Sequence, residues 1–246
     1  MLIVEILIFI IGSLFGSFAN VLILRLPRGE DFALKNSYCY FCKKKIPFYL
    51  NIPVLAFIFL KGKTKCCNNK LNLQYPIVEL IMGTLFTINY LSYDISQSIL
   101  ISFLFFVVVL IIFIDLNEKI IFDLFNYSLL GSGVIIAYFF KNLNPLDISY
   151  INSIVTATIG FLLFLSLRLI FKKIRNVEAL GMGDVILIAG LGSWLGFEKF
   201  LFLLCLSSII GIIYFLIFSK KKTDFQIPYG SALGISFIII FYINFN

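Results

Sequence analysis

The sequence predicts an all-α fold: a polytopic membrane helix bundle of about eight transmembrane helices, with a small cytoplasmic insert between the first two. Three observations carry that prediction. Hydrophobic residues make up 61% of the 246 and charged residues only 13%. Mean hydropathy is +1.03, far from the composition of a soluble domain of this size. The cations are also confined almost entirely to alternate loops. With about 20 apolar residues needed per crossing, candidate spans run from 2 to 25, 76 to 93, 97 to 115, 124 to 141, 150 to 171, 183 to 197, 199 to 218 and 227 to 244. The chain thus divides into a first helix (1–25), a Cys-containing insert (26–75) and a transmembrane core (76–246).

The first span carries Glu5 where a secretory signal has a cation, and it lacks an Ala-x-Ala-like end. It is expected to be a retained helix, and Gly12, Gly16 and Ser17 give it a small-residue stripe for close packing. Within the insert, Ile52 to Leu60 is apolar but too short to span. Flanked by Pro47 and Pro53, it reads as a hairpin-like or interfacial core of a small domain.

Charge then orients the bundle. Eighteen of the twenty Lys and Arg residues fall between Arg25 and Lys70, at Lys119, between Arg168 and Arg175, and at Lys220, Lys221 and Lys222; only Lys141 and Lys199 lie on the other side. The positive-inside bias places the basic loops in the cytoplasm and both termini outside. Lipid is therefore the expected partner of most of the surface. The net charge of +7 is a topology signal, and with its cations spread over four loops it argues against nucleic-acid binding.

Four of the five cysteines lie in the insert: Cys39 and Cys42 in Cys-x-x-Cys spacing, then the adjacent pair Cys66 and Cys67. Clustered thiols in a reducing cytoplasm point to a metal more than to disulfides, and two thiolates at Cys-x-x-Cys spacing can grip one tetrahedral zinc. Cys39, Cys42 and Cys67 are the better-placed ligands. Cys66 is the weaker one, because neighbouring side chains project in different directions. The competing reading is a set of reduced thiols in a small folded loop. Cys205, inside an apolar span, reads as a packing residue.

The chain contains no histidine, which removes Ser-His and Cys-His nucleophile pairs and leaves carboxylates as the main means of hydrolysis. Asp115 closes one apolar span and Asp184 opens another after Gly181-Met-Gly183. The inferred topology puts both at the cytoplasmic rim. Two carboxyl groups that share one proton can activate water and polarise an amide carbonyl without a metal, so the pair reads as an intramembrane aspartic protease dyad. Each residue has a plainer alternative: Asp184 as a helix cap, Asp115 as an interfacial charge at the unfavourable end of a helix dipole. Gly181 and Gly183 are turn residues that also let a peptide backbone approach. Glu79, about one turn into its span, has either a functional or a hydrogen-bonded packing role.

These segments resemble the type IV prepilin leader peptidases, membrane aspartic proteases with a Gly-x-Gly-Asp motif. The likeness is carried in order by Gly16 to Val21, Arg25 to Gly29, Cys39 with Cys42, Asn51-Ile-Pro-Val54, Gly62-Lys63, Tyr75 to Leu80, Ile114-Asp115-Leu116, Glu178 to Asp184 and Ile227-Pro-Tyr-Gly230. The resemblance implies removal of the basic leader from prepilin or pseudopilin precursors at the inner membrane of a bacterium, on its cytoplasmic side. No cofactor would be needed for proteolysis. It further implies that S-adenosylmethionine could serve N-methylation of the new terminus, and that Asp115 and Asp184 are the catalytic pair. Glu118, Asp123 and Glu178 could steer a basic leader. The chain departs from the family at Thr64-Lys-Cys-Cys67, where a second Cys-x-x-Cys is usual, at Phe122 in place of a proline, and at Ile186 in place of a lysine. All three departures leave both carboxylates in place.

A proton- or cation-coupled transporter is the alternative from another class, but it would place acids at the midplane and show related halves. Neither is evident in the sequence. A structural component of a pilus or secretion assembly would tolerate loss of either aspartate.

Overall fold

In a computed structural model, residues 2–32, 38–39, 41–47, 52–176, 180–218 and 226–243 are described. Asn51, Glu178 and Lys220 to Lys222 lie outside them. The described residues form helices with no named strand; two isolated antiparallel bridges occur in the insert. The chain divides into two compact units, residues 1–110 and 111–246.

The first unit holds α1 (Leu2–Arg25), the insert with its short α2 (Leu55–Phe59), α3 (Gln74–Ser92) and most of α4 (Ile95–Glu118). α1 and α3 pack at backbone distance. A Cβ on Gly12 would sit 2.6 Å from the Met82 carbonyl oxygen, and one on Gly16 would sit 2.6 Å from the Glu79 Cα. The small-residue stripe therefore does what its spacing implied. Phe15 joins the helices through ring contacts with Phe86, Phe103 and Phe106 at 5.3 to 5.9 Å. Asn89 on α3 donates to Ser102 on α4 at 3.0 Å, a buried polar pair at a helix contact. The apolar stretch of the insert is the five-residue α2, whose Leu55, Ile58 and Phe59 are exposed.

The second unit holds the end of α4, then α5 (Asp123–Phe139), α6 (Tyr150–Arg175), α7 (Met182–Phe218) and α8 (Tyr229–Tyr242). Its core is the first arm of α7, buried continuously from Val185 to Gly196. Gly196 interrupts α7 with φ 68° and ψ 172°, a region open essentially to glycine alone. The freed N–H of Phe197 donates to Asn152 Oδ1 at 3.1 Å. Phe200 lies against Gly192, at 3.1 Å from where a Cβ would be. Eight residues along a straight helix span about 12 Å, so the chain doubles back at Gly196 and α7 is a helical hairpin. Its second arm returns to the start of α8, where Ser207 meets the Tyr229 hydroxyl at 3.2 Å. The sixth and seventh spans read from sequence are these two arms.

Among the described residues, four helical stretches are long and apolar enough to cross a membrane: Leu2–Arg28, Ile95–Glu118, Tyr150–Arg175 and Met182–Phe218. Two buried hydrogen bonds tie helices of the second unit together. Ser153 donates to the Ser193 carbonyl at 2.7 Å, and the Trp194 indole N–H to the Leu129 carbonyl at 3.0 Å. Cys205 is exposed on the second arm of α7 rather than packed inside.

Candidate active site

Four helix ends of the second unit meet at one place: the C-terminus of α4 and the N-termini of α5, α7 and α8. Asp115 lies in the last turns of α4, 4% exposed. A carboxylate there faces the negative end of its own helix dipole. The start of α8 offsets this, because the Ser231 N–H, in that helix's first turn, donates to Asp115 Oδ2 at 2.6 Å. A helix N-terminus with free N–H groups is a natural seat for an anion. Ile227-Pro-Tyr-Gly230 is thus the lead-in to the group that holds Asp115.

The absence of a side chain at Gly230 leaves room for that approach. A Cβ at this position would lie 3.2 Å from Asp115 Oδ2 and 2.6 Å from Ile121 Cδ1. Ile121 is also the neighbour of the second aspartate's turn, its Cβ lying 3.2 Å from where a Gly183 Cβ would be. The turns beside the two aspartates therefore adjoin one side chain from the short link between α4 and α5.

Asp184 occupies the third position of α7 and is half-buried. Its carboxylate reaches back to the Gly181 N–H, the second half of a capping box. Gly181 in turn accepts from the Val185 N–H at 3.4 Å. Asp184 thus caps the helix from its third position and not as the N-cap residue, and one N–H engages only one of its two carboxylate oxygens. Gly183 is fixed from α5, where Asn126 donates through Nδ2 to its carbonyl at 2.9 Å. Asn126 is fully buried and, among the described residues, its Oδ1 has no hydrogen-bond partner. Glu118 and Asp123, in and beside the same link, are exposed.

The structure thus brings together Asp115, Asp184, Gly181 and Gly183, and adds Ser231, Gly230, Asn126 and Ile121, none of which sequence reasoning assigned. For Gly230 and Ser231 the available signal was a Pro-Tyr-Gly-Ser helix start. For Asn126 it was a polar residue on the apolar face of a helix.

Glu79 belongs to the first unit. It is 8% exposed on α3 and accepts from the Val54 N–H at 2.7 Å, with a further hydrogen bond from the Ser17 side chain. Val54 has φ 61°, rarely tolerated by a β-branched residue. Glu79 therefore ties the start of α2 to the α1/α3 pair through these hydrogen bonds.

The cysteines converge more completely than expected. The Sγ atoms of Cys39, Cys42, Cys66 and Cys67 all lie within 4.8 Å of one another. Cys66 was expected to be the weaker ligand because adjacent side chains diverge. Here both members of the pair sit in a tight turn that curls their sulfurs to one side, so the rule for extended backbone does not apply. Zn–S bonds of about 2.3 Å put tetrahedral sulfurs about 3.8 Å apart. The separations here are 3.7 Å for Cys39–Cys67, 3.9 Å for Cys66–Cys67 and 3.2 Å for Cys42–Cys66, so the four thiols fit zinc. Without metal, the hydrogen bond from Thr64 brings the Cys67 thiol down to about 7. The bonds with Cys42 and Cys39 push Cys66 up to about 12.

The chain is similar to known proteins over both halves. Residues 10–93 match the bacterial peptidase A24 N-terminal domain and residues 99–216 match the type IV leader peptidase family. The chain is 31% identical to the type 4 prepilin-like proteins leader peptide-processing enzyme of Escherichia coli O78:H11, over 95% of this chain and 91% of that protein. It is 31% identical to the prepilin leader peptidase/N-methyltransferase of Vibrio cholerae, over 96% of each chain. It is 33% identical to that of Klebsiella pneumoniae, over 78% of this chain and 85% of the relative. No solved structure matches.

Proposed function

Because the chain belongs to the type IV leader peptidase family, we propose that it cuts the basic leader from prepilin or pseudopilin precursors at the cytoplasmic face of a bacterial inner membrane, with Asp115 and Asp184 as its catalytic dyad. The protein is a peptidase. The observation that supports the dyad is that the two turns that adjoin the carboxylates, at Gly230 beside Asp115 and at Gly183 before Asp184, both lie against Ile121.

Two carboxyl groups that act on one water share a proton. The ionised one takes a proton from the attacking water, while the protonated one polarises the scissile carbonyl and later protonates the departing amine. The Ser231 N–H and the α8 terminus keep the Asp115 carboxylate oriented. The Gly181 N–H does the same for Asp184. Exposed Glu118 and Asp123 offer a basic leader an acidic approach.

The names of the relatives pair peptidase with N-methyltransferase, so methylation of the new N-terminus, with S-adenosylmethionine as co-substrate, belongs to the same proposal. The four-cysteine cluster is proposed to hold a structural zinc that ties the two halves of the insert together.

Purified protein in lipid vesicles, given a pilin-like precursor, should release the leader as a single peptide ending just before the hydrophobic helix. Precursor of unchanged mass would refute the reading. With S-adenosylmethionine added, a product about 14 mass units heavier, one methyl group, supports the second activity and an unshifted product removes it.

A further inference from the structure

The insert contains two copies of one turn. In the first, the Cys39 N–H donates to the Lys44 carbonyl at 2.8 Å, the Lys43 N–H returns to the Cys39 carbonyl at 2.9 Å, and Tyr38 bridges Lys45. In the second, the Thr64 N–H donates to the Asn69 carbonyl at 2.8 Å, the Asn68 N–H returns to the Thr64 carbonyl at 2.9 Å, and Lys63 bridges Lys70. Lys43 and Asn68 share a left-handed φ of 59° and 57°. Every element of the second turn lies 25 residues after its counterpart. Cys67 therefore corresponds to Cys42, and Thr64 corresponds to Cys39. Cys66 corresponds to Phe41, which is not a ligand.

Thr64 cannot itself complete a thiolate set, and its hydrogen bonds show what it does instead. Its Oγ1 accepts the Asn69 N–H at 3.0 Å, so its single hydroxyl proton is free to point at Cys67 Sγ, 3.1 Å away. Asn69 Nδ2 approaches the same sulfur at 3.6 Å. The missing fourth sulfur is supplied by Cys66, two residues later on the turn and 3.2 Å from Cys42 Sγ.

We propose that the zinc of this insert is held by an out-of-register ligand set, in which Cys66 supplies the thiolate that the turn's own symmetry would place at position 64, and Thr64 is a positioning residue that donates its hydroxyl to the Cys67 thiolate. The proposal rests on the zinc reading above. It makes Cys39 a buried ligand and Cys66 an exposed one, so the site is most open on the Cys66 side. A donor to a ligating sulfur orients it and tunes its basicity, and loss of such an outer partner typically costs about 10–100-fold in metal affinity.

The test uses the full chain in detergent, with zinc content, zinc affinity by chelator competition, and the thiolate charge-transfer absorption of the cobalt(II) form. Wild type should bind one metal with a four-thiolate spectrum. Cys66→Ser should fall to a three-thiolate spectrum and bind at least about tenfold more weakly. Thr64→Val should keep the four-thiolate spectrum with weakened affinity. The Thr64→Cys/Cys66→Ser double variant should regain the four-thiolate spectrum, because the fourth sulfur then stands at the turn position that corresponds to Cys39. Helix content by circular dichroism, unchanged across the set, keeps misfolding from imitating ligand loss. A Cys66→Ser protein with wild-type spectrum and affinity overturns the out-of-register set while leaving zinc in place. A wild-type chain that takes up no metal overturns the zinc reading and the proposal with it.

Discussion

Asp115 would be an awkward residue if its own helix were all that surrounded it. It ends an apolar helix at the wrong pole of the dipole and is almost wholly buried. What makes the position tenable is the Ser231 N–H across more than a hundred residues of sequence, and what permits that contact is Gly230. Adding a single methyl in Gly230→Ala should push against Ile121 and displace the carboxylate. A misplacement of about 1 Å in a reacting group can cost about 100-fold in rate, so kcat for leader removal should fall about 10–100-fold with little loss of folded protein. Side-by-side kinetics and thermal stability in detergent check this. The aspartates themselves were legible from sequence because charge is so rare in these spans. Gly230 and Ser231 were not assigned, since a glycine and serine at a helix start look alike whether they cap water or a catalytic acid. The cysteines misled at Cys66 for the opposite reason: the sequence shows adjacency, and only the turn shows convergence.

At the scale of elements, the link between α5 and α7 fixes the Gly-Met-Gly-Asp turn. Asn126 is buried and bonded to the Gly183 carbonyl. Asn126→Ala should destabilise the fold by about 1 kcal/mol and lower kcat about tenfold while KM stays near wild type, because the loss falls on placement of Asp184 rather than on substrate contact. Steady-state kinetics together with an unfolding curve separate the two effects. The hairpin of α7 makes a second prediction. Gly196→Ala forces a side chain into a glycine-only backbone region and within about 3.0 Å of Asn152 Nδ2, which should destabilise by about 1–3 kcal/mol, read as an earlier thermal inactivation. The sequence placed a break at nearly the right residue, because spans of 183 to 197 and 199 to 218 leave no room for a loop. That the break is a single glycine with its N–H handed to Asn152 follows from packing against α6.

For the molecule as a whole, the distribution of cations is the strongest topological statement in the chain, with eighteen of twenty in alternate loops. Lys173→Cys should therefore become reactive to a membrane-impermeant thiol reagent only from the cytoplasmic side, and Lys141→Cys only from the other, each read as the increment over the parent chain in right-side-out and inverted vesicles. The all-helical, polytopic character was readable because the apolar runs are many and the charges between them few. The meeting of four helix ends was not, since it depends on which faces pack. That meeting gives the dyad its meaning, and its most direct measurement is leader removal by membranes carrying wild type, Asp115→Asn or Asp184→Asn, followed by mass. Catalysis by the pair predicts that either single substitution abolishes the cut while the protein stays folded and inserted; cleavage at the wild-type rate by either variant would contradict it.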